Sequence, residues 1–99
     1  MGAGYALTED LIIEQGKVLN PSFADYKVFT ATEIPDIDIG LIETNDPEGP
    51  YGAKGIGEAP VVPMAPAIAN AVYNAIGIRF TKLPMTPERV LRALKEQEL

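Results

Sequence analysis

Three prolines, Pro60, Pro63 and Pro66, stand in the longest apolar stretch of the chain and decide where its main helix can begin. Proline lacks the N–H that a helix interior uses, which costs about 3 kcal/mol there but little in the first turn. Downstream of them Val61, Ala65, Ile68, Val72 and Ile76 recur at helical spacing up to Gly77, a residue suited to a C-terminal cap. The spacing predicts a helix over about 63–76, with residues 59 to 62 a turn or kinked lead-in.

Directly before this helix runs Pro50-Tyr51-Gly52-Ala53-Lys54-Gly55-Ile56-Gly57-Glu58-Ala59-Pro60. Its glycines make the backbone pliable, and its lysine and glutamate are delivered against a rigid element. The upstream boundary is Asn45-Asp46-Pro47-Glu48-Gly49-Pro50, which holds almost every turn-forming residue type. Several chemically useful features converge in this one loop.

The remaining elements are shorter. Residues 4–10, Gly-Tyr-Ala-Leu-Thr-Glu-Asp, have helical composition with no cap before them, and read like the tail of a longer element in a cut chain; a frayed terminus is the alternative. Leu11 to Glu14 and Lys17 to Leu19 flank Gln15-Gly16 as a hairpin, although Gln is a poor first turn residue. Residues 20–35 have no sustained period, yet are too apolar for a solvated linker and are expected to pack irregularly. Asp36 to Thr44 alternates, with Ile37, Ile39 and Leu41 on one face, and is the clearest strand candidate. Ile78 to Thr81 offers another short one.

The final helix is expected over about 87–96, with Thr86 as N-cap, Pro87 in the first turn and Glu88 near the positive end of the dipole. Met85 can staple against Val90, and the tail from Lys95 to Leu99 should fray. The expectation is an α+β fold of short antiparallel strands with two C-terminal helices, in a single domain spanning residues 1–99.

Composition removes whole classes of function. The net charge of −6 disfavours a nucleic acid backbone, and the basic residues form no stripe. Without cysteine the chain offers no disulfide, thiolate nucleophile, iron–sulfur ligand or structural zinc site. Without histidine, proton transfer near pH 7 falls to a carboxylate, tyrosine or lysine with a pKa moved by its surroundings. The apolar stretch is too short and too proline-rich to span a bilayer, and no secretory signal is visible, so the cytoplasm is the default compartment.

The glycine loop meets neither the P-loop spacing nor the dinucleotide fingerprint. Its backbone N–H groups and Lys54 could still approach an anionic cofactor; a tight structural turn is the other reading. Glu58 could stand at the edge of a dry cavity as a general base, or simply sit near a helix N-terminus where the dipole favours it. The acidic groups Glu9-Asp10, Asp36 with Asp38, and Asp46 with Glu48 lack the ligand run of a calcium loop and read as solvated surface. No metal-ligand set is expected, and the four scattered tyrosines are expected to pack amphipathically.

Lys54-Gly55-Ile56-Gly57-Glu58-Ala59-Pro60, followed by the Ala-rich helix and Thr86-Pro87-Glu88-Arg89-Val90, resembles the C-terminal segment of the molybdopterin-binding subunit of the xanthine dehydrogenase and aldehyde oxidase family. Gly4 to Glu9, Asn20 to Lys27 and Ile34 to Ile37 look like the same family in the same order, so the resemblance covers about the whole chain. It implies a fragment of a larger molybdenum-binding domain, in which Glu58 is the general base and Lys54, Gly55, Ile56 and Gly57 lie against a molybdenum–molybdopterin cofactor, with the cytosine dinucleotide form left open.

The resemblance further implies hydroxylation of an electron-poor carbon, with water as the oxygen source and a small-molecule substrate. Iron–sulfur clusters and flavin would be carried by other segments or subunits, so the partners are the remainder of the molybdenum-binding subunit and those electron-transfer units. The isolated piece is expected to be inactive, with no membrane or nucleic acid partner, and with apolar surface that could drive homo-oligomers. A stand-alone binding module that keeps the fold, or a catalytically silent domain, is the alternative.

Overall fold

The computed structural model describes residues 1–97. Helix α1 (Gly2–Leu7) leads into a hairpin of β1 (Ile13–Glu14) and β2 (Lys17–Val18), followed by a long irregular stretch, then α2 (Met64–Ile76) and α3 (Pro87–Gln97). The architecture is α+β, with its helices packed at one end and its only ladder among the described residues in the hairpin.

Helix α1 carries two glycines, which disfavour a helix interior but here permit close packing. A Cβ added at Gly2 would lie 2.5 Å from Met64 Cβ and 3.2 Å from the Val61 carbonyl, so the backbone of α1 rests directly on the start of α2. The carboxylate of Glu9 occupies the corresponding space over Gly4. The same carboxylate accepts a 2.7 Å hydrogen bond from the Tyr26 hydroxyl, which raises the pKa of that phenol.

The hairpin pairs Ile13 with Val18 and Glu14 with Lys17. Gln15 (φ 49°) and Gly16 (φ 78°) are both left-handed, as a two-residue primed turn requires. Gln15 thus tolerates a conformation that favours glycine or asparagine. The base of the hairpin is held by Asn20, only 6% exposed. Its Oδ1 accepts from the Ile12 N–H at 2.9 Å, and its Nδ2 donates to the Asp10 carbonyl at 2.6 Å.

The prolines act as expected on α2. Ala59–Val61 forms a single 3₁₀ turn, Pro63 is the N-cap residue, and Pro66 falls in the first helical turn, where its missing N–H is no loss. Gly77 closes the helix at φ 74°, donating to the Tyr73 carbonyl at 2.7 Å. Thr86 caps α3, its Oγ1 accepting at 3.4 Å from the Arg89 N–H. Glu88 in that first turn has a lowered pKa, held down by a backbone N–H and the Thr86 hydroxyl.

Three expectations change. Asp36 to Thr44 contains no helix, turn or bend, but no described residue pairs with it, so it forms no strand: alternation specifies faces and does not supply a partner. Ile78 to Thr81 likewise forms no ladder. Helix α3 continues to Gln97, so Lys95 to Gln97 do not fray, and residues 98–99 lie outside the described part.

The chain buries little by itself. Ala6, Pro84 and Met85 are the buried apolar side chains among the described residues, and a 2.7 Å hydrogen bond from the Met85 N–H to the Ala6 carbonyl joins two of them. Arg89 reinforces this junction, donating to the Pro84 carbonyl at 2.8 Å and pairing with Asp10 at 2.7 Å. The radius of gyration is 18.0 Å, against roughly 13 Å for a compact chain of about this length. The accessible surface of 8368 Å² exceeds by roughly 2,900 Å² what a folded monomer of this mass exposes.

Replacing Asn20 with Ala strands a backbone N–H and a carbonyl, and is expected to destabilise the folded protein by about 1–3 kcal/mol in chemical denaturation. A pH effect follows from the turn Thr30–Glu33. The carboxylate of Glu33 accepts from Lys27, from the Thr30 N–H and from the Thr30 hydroxyl, and its pKa falls from 4.5 to about 2. With the folded pKa depressed, this stabilisation of the turn is complete above about pH 4.5 and is lost as pH falls towards 2. Carboxyl NMR should find the low midpoint, and Lys27→Met should move it upward.

Candidate functional site

The loop before α2 has a tightly wound half and an open half. From Asn45 to Ala53 the chain closes on itself: Asp46 N–H donates to the Gly52 carbonyl at 3.1 Å, and Ala53 N–H to the Pro50 carbonyl at 3.0 Å. Glu48 N–H donates to Asp46 Oδ1 at 3.0 Å, a side-chain turn of the kind aspartate favours. The winding requires left-handed backbone at Asn45 (φ 46°), Tyr51 (φ 55°) and Gly52 (φ 77°). At Tyr51 that conformation comes with a fully exposed ring, so this tyrosine does not pack within the chain.

From Lys54 to Gly57 the backbone is irregular and exposed, and Glu58 begins the 3₁₀ turn, its carbonyl accepting from Val61 N–H at 2.9 Å. No hydrogen bond or ion pair among the described residues involves the side chains of Lys54 or Glu58. Both charged groups are therefore free to engage something outside the chain. The dry cavity that would modify the Glu58 carboxyl is not formed by these residues, because Glu58 is exposed.

Lys54, Gly55 and Ile56 line a cleft of about 550 Å³ with Ile42 to Asn45 and Tyr51 to Ala53. Gly57 and Glu58 lie outside it. The cleft wall from Ile42 to Asn45, and Tyr51, were not singled out from the sequence; their signal was their position on either side of the Asn45 to Pro50 turn.

The two glycines of the open half serve no purpose visible within the chain. Neither Gly55 nor Gly57 is left-handed, and a Cβ added to either meets no atom within 4 Å. Sterically the chain would accept alanine there, so any demand for glycine comes from a body that approaches from outside. Among the described residues no group of acidic side chains is arranged to hold a metal ion.

Residues 1–35 match a molybdopterin cofactor-binding domain family. Over 92 residues, or 91% of its length, the chain is 44% identical to the xanthine dehydrogenase molybdenum-binding subunit of Escherichia coli O157:H7. It is 40% identical over 97 residues to the aldehyde oxidoreductase of Megalodesulfovibrio gigas. The chain belongs to the xanthine dehydrogenase and aldehyde oxidase family. It spans only 12% and 10% of those two relatives' lengths. The fold agrees: 96% of the chain superimposes on 13% of quinoline 2-oxidoreductase from Pseudomonas putida 86, at a TM-score of 0.85 and 31% identity. The match to a molybdopterin-binding family ties this segment to a molybdenum cofactor. No helix among the described residues is long and apolar enough to cross a membrane.

The two halves of the loop should respond differently to a methyl group. Gly52→Ala forces a left-handed alanine and brings its Cβ to 3.2 Å from Asn45 Cα, so it is expected to destabilise by about 1–2 kcal/mol. Gly55→Ala and Gly57→Ala should be neutral or stabilising by up to about 1 kcal/mol in the cofactor-free protein. Thermal denaturation of the three variants tests this ordering.

Proposed function

We propose that this chain is the segment of a molybdenum-dependent hydroxylase that supplies the catalytic general base, Glu58, and the cofactor-facing wall Lys54 to Gly57. The observation that carries the reading is the unpartnered, open Lys54–Glu58 loop in a chain that matches molybdenum-binding subunits over nine-tenths of its length. The bound cofactor supplies Lewis acidity and accepts two electrons. Glu58 holds, at its carboxylate oxygens, the proton given up by the water-derived nucleophile as that nucleophile adds to an electron-poor carbon.

The chain's other contributions are positional. Gly55 and Gly57 let the backbone approach the pterin with no side chain between, and Lys54 offers a point charge to the anionic part of the cofactor. Pro60, which forms the 3₁₀ turn after Glu58, stiffens the connection to α2 and limits how far the carboxylate can wander. The remaining cavity walls, the iron–sulfur clusters and the flavin belong to the rest of the subunit and its partners. The bare loop gives the isolated segment no closed site, so it is inactive alone. A self-sufficient binding module is disfavoured by the large accessible surface and by the small number of buried apolar side chains.

In the assembled enzyme, Glu58→Gln is expected to lower kcat at least about 100-fold while leaving molybdenum content unchanged. Unaltered turnover in a fully loaded variant would remove Glu58 from the base role. Gly57→Val should instead lower the molybdenum content of the purified enzyme, read by metal analysis, because its side chain enters the space left for the pterin.

A further inference from the structure

The run from Asp36 to Thr44 carries backbone and side-chain chemistry that nothing in the chain satisfies. No hydrogen bond among the described residues involves its backbone groups. Ile37, Ile39, Leu41 and Ile42 stand in water, Leu41 at 88% of full exposure. Burying each such side chain is worth about 1.5–3 kcal/mol, so leaving four exposed within six residues forgoes a large fraction of a domain's stability. The run contains no helix, turn or bend, and the alternation of its sequence sorts Ile37, Ile39 and Leu41 to one face of a strand. What is missing is a partner edge.

We infer that residues 36–44 are a strand-addition element, docking by backbone hydrogen bonds on a strand carried by the rest of the same subunit, with Ile37, Ile39 and Leu41 packed into that body's core. This rests on the reading that the chain is a segment of a longer subunit. The chemistry of the occupant follows from the groups presented: a row of free N–H and C=O groups about 4.8 Å away satisfies them, and a strand edge offers that row. The hairpin of this chain, two residues per strand, is too short to be that partner.

Size decides between the rest of the subunit and a second copy. The excess surface of roughly 2,900 Å² exceeds the roughly 800 Å² per partner of a standard interface, and also the reach of most obligate homodimers. A chain that spans 12% of its relative's length has a far larger body available in the rest of that polypeptide. Docking there has a consequence for the site. Thr44 leads directly into the wound loop at Asn45, so the register of the added strand sets where Lys54 to Glu58 lie. A slip of two residues would displace them by about 6.6 Å.

Hydrogen–deuterium exchange on the assembled, full-length enzyme tests the inference. Alternate amides between Ile37 and Glu43, those turned to the partner edge, are expected to exchange at least about 100-fold more slowly than an unstructured peptide. Exchange at the unstructured rate would overturn docking altogether. Protection that vanishes when the enzyme is diluted until its subunits separate would assign the edge to another chain and overturn the choice of occupant. Leu41→Pro, whose ring is incompatible with a paired strand, should restore fast exchange across the segment, whereas Leu41→Ile should preserve protection. Because the readout is amide exchange, it is independent of the Glu58→Gln result: a silent Glu58→Gln with a protected segment would fail the catalytic assignment alone.

Discussion

The hydrogen bond from the Met85 N–H to the Ala6 carbonyl joins the buried Pro84–Met85 corner to the buried Ala6 of α1, and the helical end depends on it. It fixes the approach to α3 against α1, while the glycine face of α1 lies on the start of α2. The Arg89–Asp10 pair closes the same junction across 79 residues of sequence. Both groups of that pair are partly exposed, so its worth lies more in orientation than in energy. With so little apolar burial, the short polar ties and close backbone contacts set the relative positions of the helices.

The functional loop lies outside this junction. Its wound half is self-supporting, held by backbone hydrogen bonds and three left-handed residues, and it presents its open half as an unsupported arm. Such an arm adopts the geometry of whatever lies against it, and catalytic groups need positions good to a fraction of an ångström. Within the chain, Glu58 is supported from one side, by Pro60 and α2; on the function proposed above, the cofactor and the body against which residues 36–44 would dock supply the other.

Much of the local structure was legible because it follows from covalent constraints. The three prolines located the start of α2 within a residue, Gly77 its end, and Thr86-Pro87 the start of α3. The Gln15-Gly16 hairpin was legible despite its unusual first turn residue. The tertiary ties were not legible: no local signal links Arg89 to Asp10, or marks Asn20 rather than another asparagine as the buried clamp of the hairpin. The alternation at residues 36–44 points to a strand because periodicity sorts side chains to two faces; it does not supply the pairing edge, and no described residue provides one.

The sequence by itself determined the boundaries of α2, the start of α3, the family and the glycine-rich loop that carries Glu58, because backbone sterics and residue chemistry are local properties. Only the tertiary structure decided that Gly55 and Gly57 face open space while Gly2 and Gly52 meet close neighbours, and that Glu58 is exposed outside the cleft lined by Lys54. These depend on how distant parts of the chain approach one another. The same packing leaves the helices joined at one small buried contact and the Lys54–Glu58 loop open to solvent, because apolar burial within 97 described residues is too sparse to close a site around it.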